Sequence, residues 1–251
     1  MRSLFKNLLI AVVVYGILLV GFSTIFVPHV MDIAIHEIGA LTIVAVVSIH
    51  VYLMRSFFKF VAAQRAPYFV YRNFTLLGIL VALVASVASG VCISYYLFQG
   101  MIPVDRHAAH IVHNASTTYM LMFIGLHLGC YMGKFFSWLD NNLMPINISN
   151  KFMMKLPSYM IKLGLLVVSY HGTIQIFKPS YLDKITLNES FSIVDYDSEI
   201  SELVINNLAI LVFYIMVSAA ISYVLLMLST RKNLSVSKCR LLPNTIQLFH
   251  T

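Results

Sequence analysis

Apolar residues fill this chain in long blocks separated by short polar, charged segments. Six blocks meet or nearly meet the roughly 20 apolar residues that a helix needs to cross a bilayer: 8–27, 33–54, 74–99, 108–133, 163–177 and 203–229. The pattern predicts an all-α integral membrane bundle of six transmembrane helices. The first block is longer than the apolar core of a signal peptide, and no small-residue cleavage site follows it, so it is expected to be retained.

Composition agrees with lipid as the solvent: 59% of residues are hydrophobic, 11% are charged, and mean hydropathy is +0.84. The formal net charge of +7 would point to nucleic acid in a soluble protein, but here the charges sort by side of the membrane. With the N-terminus inside, 14 of the 17 Lys and Arg residues fall on the cytoplasmic side, and Arg106, Lys178 and Lys184 fall outside. Basic residues set orientation, so both termini are expected in the cytoplasm, within a single membrane domain, 1–251. The segment 178–202 becomes an external loop, apolar enough to pack on the outer face or to dock a partner. The basic stretch 138–157 reads as an irregular inner loop, and 230–251 as a cytoplasmic tail.

Ionisable side chains within a membrane are costly and carry a functional hypothesis by default. The second and fourth blocks hold matching pairs: His36 and His50 are fourteen residues apart, and so are His113 and His127. Fourteen residues fall about 40° short of four helical turns and rise about 21 Å, so both imidazoles of a helix share one face. Both helices run from outside to inside, which brings His36 level with His113 near the outer surface and His50 level with His127 near the inner one. Two imidazoles across a haem iron saturate it, which suits electron transfer and leaves no position open for oxygen chemistry. The expectation is therefore two non-covalent haem b groups with these four histidines as axial iron ligands. No CxxCH attachment motif is present, and Cys92 and Cys130 read as small apolar residues.

Around the histidines, Gly39, Ala40, Ser116, Gly125 and Gly129 offer either room for a macrocycle or helix packing through small residues. Haem propionates favour basic partners: Arg106 with His107 or His110 for the outer group, and Arg55, Arg72 or Lys134 for the inner one. His110 lies about 100° off the face shared with His127, and is expected at the boundary. His171 reads as a buried hydrogen-bonded residue, His29 as a loop residue and His250 as a terminal one.

With those residues in place, the chain resembles the bacterial flavinylation-associated cytochromes, domain-of-unknown-function family 4405, over most of its length. The features that carry the resemblance are IHEIGALTIVAVVSIH, the basic loop ending YRNFTLLG, SGVCIS, VH followed after thirteen residues by HLGCYMGKF, YHGTIQIF, and YLDKITLNESFSIVDY. Family members often read SRH where this chain has Ser94–Tyr96, and a histidine where it has Tyr131. The resemblance implies a multi-pass protein of the bacterial cytoplasmic membrane. It implies electron transfer from a donor such as membrane quinol to extracytosolic acceptors such as flavin-carrying proteins, as a non-catalytic cytochrome or the membrane subunit of an oxidoreductase. Two other readings use the same residues: a histidine-lined path for Zn²⁺ or protons without haem, and a subunit with its own quinone site near Tyr95, Tyr96 or His171.

Overall fold

The computed structural model describes residues 33–53, 66–102, 105–142, 151–188 and 200–241. Every regular element among them is a helix: α1 (Ile33–Leu53), α2 (Pro67–Ile93), α3 (Arg106–Gly129), α4 (Met132–Asn142), α5 (Lys151–Ile176), α6 (Pro179–Ile185) and α7 (Ile200–Leu241). The predicted span 8–27 lies outside the described residues, as do Arg55, His29 and His250.

Local sequence sets several helix boundaries. Pro67 opens α2 and Pro179 opens α6, where a missing N–H costs nothing and φ is already helical. Asp105 caps α3 by accepting the His107 N–H at 2.9 Å. Two boundaries differ from the sequence reading. The third helix begins at Pro67 and not near Phe74, so Tyr71, Arg72 and Asn73 are helical. Both described ends of the stretch expected as an irregular inner loop are helical too, with α4 covering Met132–Asn142 and α5 starting at Lys151, while 143–150 lies outside the described residues.

Among the described residues three helices are long and apolar enough to cross a membrane, Ile33–Leu53, Pro67–Ile93 and Ser201–Ser229, with a fourth if the bent pair Tyr159–Ile176 and Pro179–Ile185, at 74°, counts as one span. Large apolar residues such as Val81, Leu163, Val167 and Tyr223 lie on the outside of the bundle, the arrangement of a multi-pass protein in contact with lipid. The predicted span 108–133 forms α3 but is not among these apolar helices. Its polar residues His107, His110, His113, Asn114, Ser116, Thr117 and Thr118 account for that.

The core is made of close backbone approaches. Helix α3 packs between α2 and α7, and α5 packs on α7. A methyl group on Gly125 would come within 2.7 Å of Tyr214 Cβ, and one on Gly129 would strike the Ile215 carbonyl. A methyl group on Gly172 in α5 would strike the Ala209 carbonyl. Small residues at such crossings replace the hydrophobic drive that lipid cannot supply. Ser218 of α7 is fully buried, donates to the Leu126 carbonyl and accepts from Tyr71 Oη at 3.0 Å. The segment following α5 packs back on the bundle. Tyr181 of α6 is buried with Leu121 and Ile210, and its hydroxyl meets that of Tyr214 at 3.1 Å.

Candidate functional site

Helix α1 stands apart from this packed core. None of its residues is buried, yet it presents His36 to His113 with ring centroids 6.3 Å apart and ring planes at 77°. At the other end of the same two helices, His50 lies within electrostatic reach of His127. Helices α1 and α3 therefore run parallel in matched register, with one histidine pair at each level.

Helix α2 runs antiparallel to α3 and grips the other side of both α3 imidazoles. His113 Nδ1 lies 3.0 Å from the Ser86 carbonyl and 3.3 Å from Ser89 Oγ. A carbonyl only accepts, so Nδ1 carries the proton. His127 Nδ1 lies 3.1 Å from Thr75 Oγ1. That hydroxyl gives its single proton to the Arg72 carbonyl at 2.7 Å, so it too accepts from the imidazole. Both α3 histidines are thereby held as Nδ1–H tautomers with Nε2 unprotonated, the form in which an imidazole ligates a metal.

Thr75 and Ser89 are fourteen residues apart, the interval that separates the histidines in α1 and in α3. Sequence reasoning passed over both because membrane Ser and Thr ordinarily bond their own helix. Ser89 indeed also donates to the Ala85 carbonyl at 2.7 Å. The shared interval was the available signal.

The surroundings differ between the His36–His113 level and the His50–His127 level, named outer and inner after the sidedness expected from charge. At the outer level, Gly90 faces His113, where an added methyl would sit 3.3 Å from the ring. Arg106 lies 5.1 Å above the Tyr95 ring, while His107 and His110 are exposed. At the inner level Arg72 is buried, 8% exposed, with its guanidinium 5.0 Å over the Phe69 ring, and its Nη2 donates to Asn73 Oδ1 at 3.3 Å. Tyr131 sets its ring edge-on to His127 at 5.3 Å. Arg72, a candidate partner of the inner group, was expected in a loop; the earlier start of α2 makes it helical.

Two other expectations change. Gly125 and Gly129 are two residues from His127, about 200° around the helix, so they face α7 and serve packing, not a macrocycle. Helix α3 does place Ser116 near a ligand position, where it is buried and donates to the His113 carbonyl at 3.0 Å. His171 meets Asn206 Oδ1 at 3.0 Å and the Gln175 amide at 3.2 Å, so it ties α5 to α7 as a hydrogen-bonded residue. Among the described residues no three His, Cys, Asp or Glu side chains gather as a metal site; the histidines come in pairs. Comparison with protein-family models, with curated proteins and with solved structures returned no match to this chain.

Proposed function

We propose that this chain is a six-span, di-haem b-type cytochrome of the bacterial cytoplasmic membrane, with both termini inside, that carries electrons between the two membrane faces. In this reading His36 and His113 hold the outer haem, and His50 and His127 the inner one. The carrying observation is that two histidine levels share one register while α2 fixes the tautomer of both α3 imidazoles.

A metal held between two imidazole nitrogens, each at about 2 Å, sets the ring centroids roughly 6 Å apart. The 6.3 Å between His36 and His113 fits that arrangement. Haem in such a position supplies a one-electron couple with no open iron coordination site. The chain's own part is orientation. Ser86 and Thr75 hold Nδ1–H, leaving each Nε2 lone pair aimed away from α2, and an accepting partner at Nδ1 makes the ligand more basic.

The polar content of α3 supports its counting as a span. Its 24 residues extend about 36 Å, His113 and His127 turn toward α2, and the hydroxyls of Thr117 and Thr118 turn back to its own carbonyls. A proton relay needs both ring nitrogens to exchange, and Nδ1 of each α3 histidine is committed to α2. A tetrahedral zinc site takes four ligands, whereas each level gathers two histidines.

Resemblance to the flavinylation-associated cytochromes adds the direction of use: electrons from a quinol or another donor pass to extracytosolic acceptors such as flavin-carrying proteins. The purified chain should show a sharp reduced α-band of b type and about two haems per polypeptide. A colourless preparation, reconstituted with haem and still colourless, would end this reading.

A further inference from the structure

Helix α1 carries one histidine of each level, and one of its residues, Glu37, ties it to the end of α2. The carboxylate of Glu37, next to His36, accepts four hydrogen bonds from the four residues that follow α2. Oε2 takes Ser94 Oγ at 2.8 Å and the Leu97 N–H at 2.7 Å; Oε1 takes the N–H groups of Tyr95 at 2.8 Å and Tyr96 at 3.2 Å. Ser94 Oγ also accepts the Phe98 N–H at 2.9 Å, which closes the turn on itself.

The chemistry of this contact is selective. Three backbone N–H groups and a hydroxyl proton converge on one point, and a carboxylate, which only accepts, satisfies all four. An amide of the same shape would keep one accepting oxygen and turn an NH₂ group toward N–H donors. Ser94 is the C-cap of α2, and Ser86, Ser89 and Gly90 in the turns just before it face His113. Glu37 therefore joins the helix that presents His36 to the helix that orients His113.

We propose that Glu37 is a positioning residue, the latch that fixes α1 to the outer end of α2 and so sets His36 opposite His113. The consequence for haem rests on the reading of that pair as iron ligands; the latch itself does not. In the full-length protein, Glu37→Gln should lower outer-haem affinity at least about tenfold, the scale of lost outer-shell partners, and leave the inner haem in place. Electron paramagnetic resonance of the two low-spin ferric signals separates the haems.

A second measurement uses haem-free protein carrying spin labels at Ile38 and Val112, which are 52% and 44% exposed. The distance distribution should be narrow with Glu37 and broad with Gln. Ser94→Ala, which removes one of the four donors, should move both readouts the same way by a smaller amount, and stands in if the Gln variant does not fold. The latch is overturned if the distance distribution is unchanged, or if both haems are lost alike. A wild type that takes up no haem on reconstitution, while its narrow distribution still broadens in the variant, would sink the haem reading and keep the latch.

Discussion

The outer and inner histidine levels are built from the same parts and held by different means. At the outer level the imidazole of His113 leans on a backbone carbonyl, that of Ser86, with Ser89 as a second acceptor. At the inner level His127 depends on one side-chain oxygen, that of Thr75, which is 0% exposed. A buried cation, Arg72, stands beside the inner level, while Arg106 of the outer level lies over an exposed tyrosine. The outer site is thus protected against side-chain substitution on α2, and the inner site is exposed to it. The inner site also sits in a more positive surrounding.

Mutations can break this comparison, and the largest effects belong to the ligands. His113→Ala should remove one haem and His127→Ala the other, each variant retaining about half the haem absorbance of the parent; equal loss of both haems in either variant would refute separate sites. Thr75→Val keeps the shape and removes the only side-chain acceptor at His127 Nδ1. It should weaken the inner haem about 10- to 100-fold in a haem titration of the reconstituted protein, with the outer site unmoved. An inner site as tight as in the parent would show that Thr75 does not orient the ligand.

Smaller changes sharpen the comparison. If the inner level holds haem as proposed, Arg72→Gln removes a positive charge beside His127 and so favours the ferric state. A redox titration should show the inner midpoint falling by on the order of 50 mV, the scale of a unit charge several ångströms away in a protein interior, and the outer midpoint staying in place. The opposite sign, or an equal shift of both, would contradict the asymmetry. Ser89→Ala should be the mildest, because the Ser86 carbonyl remains to hold His113. A loss of outer haem matching the Thr75→Val effect would mean that the two levels are not held differently.

Much of this plan was legible in the chain itself. Histidines are rare enough inside apolar blocks that a repeated interval of fourteen stands out, and helix geometry converts it directly into a shared face. Three features were hidden for separate physical reasons. Arg72 looked like the end of a basic loop, because charge marks a loop more strongly than Pro67 marks a helix start. Gly125 and Gly129 are close to His127 along the chain but on the opposite face of α3, and nearness in sequence does not distinguish these. The role of Glu37 left no mark in the sequence, because its four donors come from residues 57 to 60 positions away, three of them through the backbone, where side-chain identity leaves no trace.

The interval that Thr75 and Ser89 share with the histidines makes α2 a ruler. The exposed side chains between them, those of Leu77, Leu80, Val81 and Val84, can vary in size without disturbing either end. The number of residues cannot. One added residue turns everything beyond it by about 100° and advances it about 1.5 Å, so that only one of the two imidazoles of α3 can keep its partner. Insertions and deletions in this stretch should separate the two haem signals as cleanly as removing a ligand does, even when every residue in the site retains its identity.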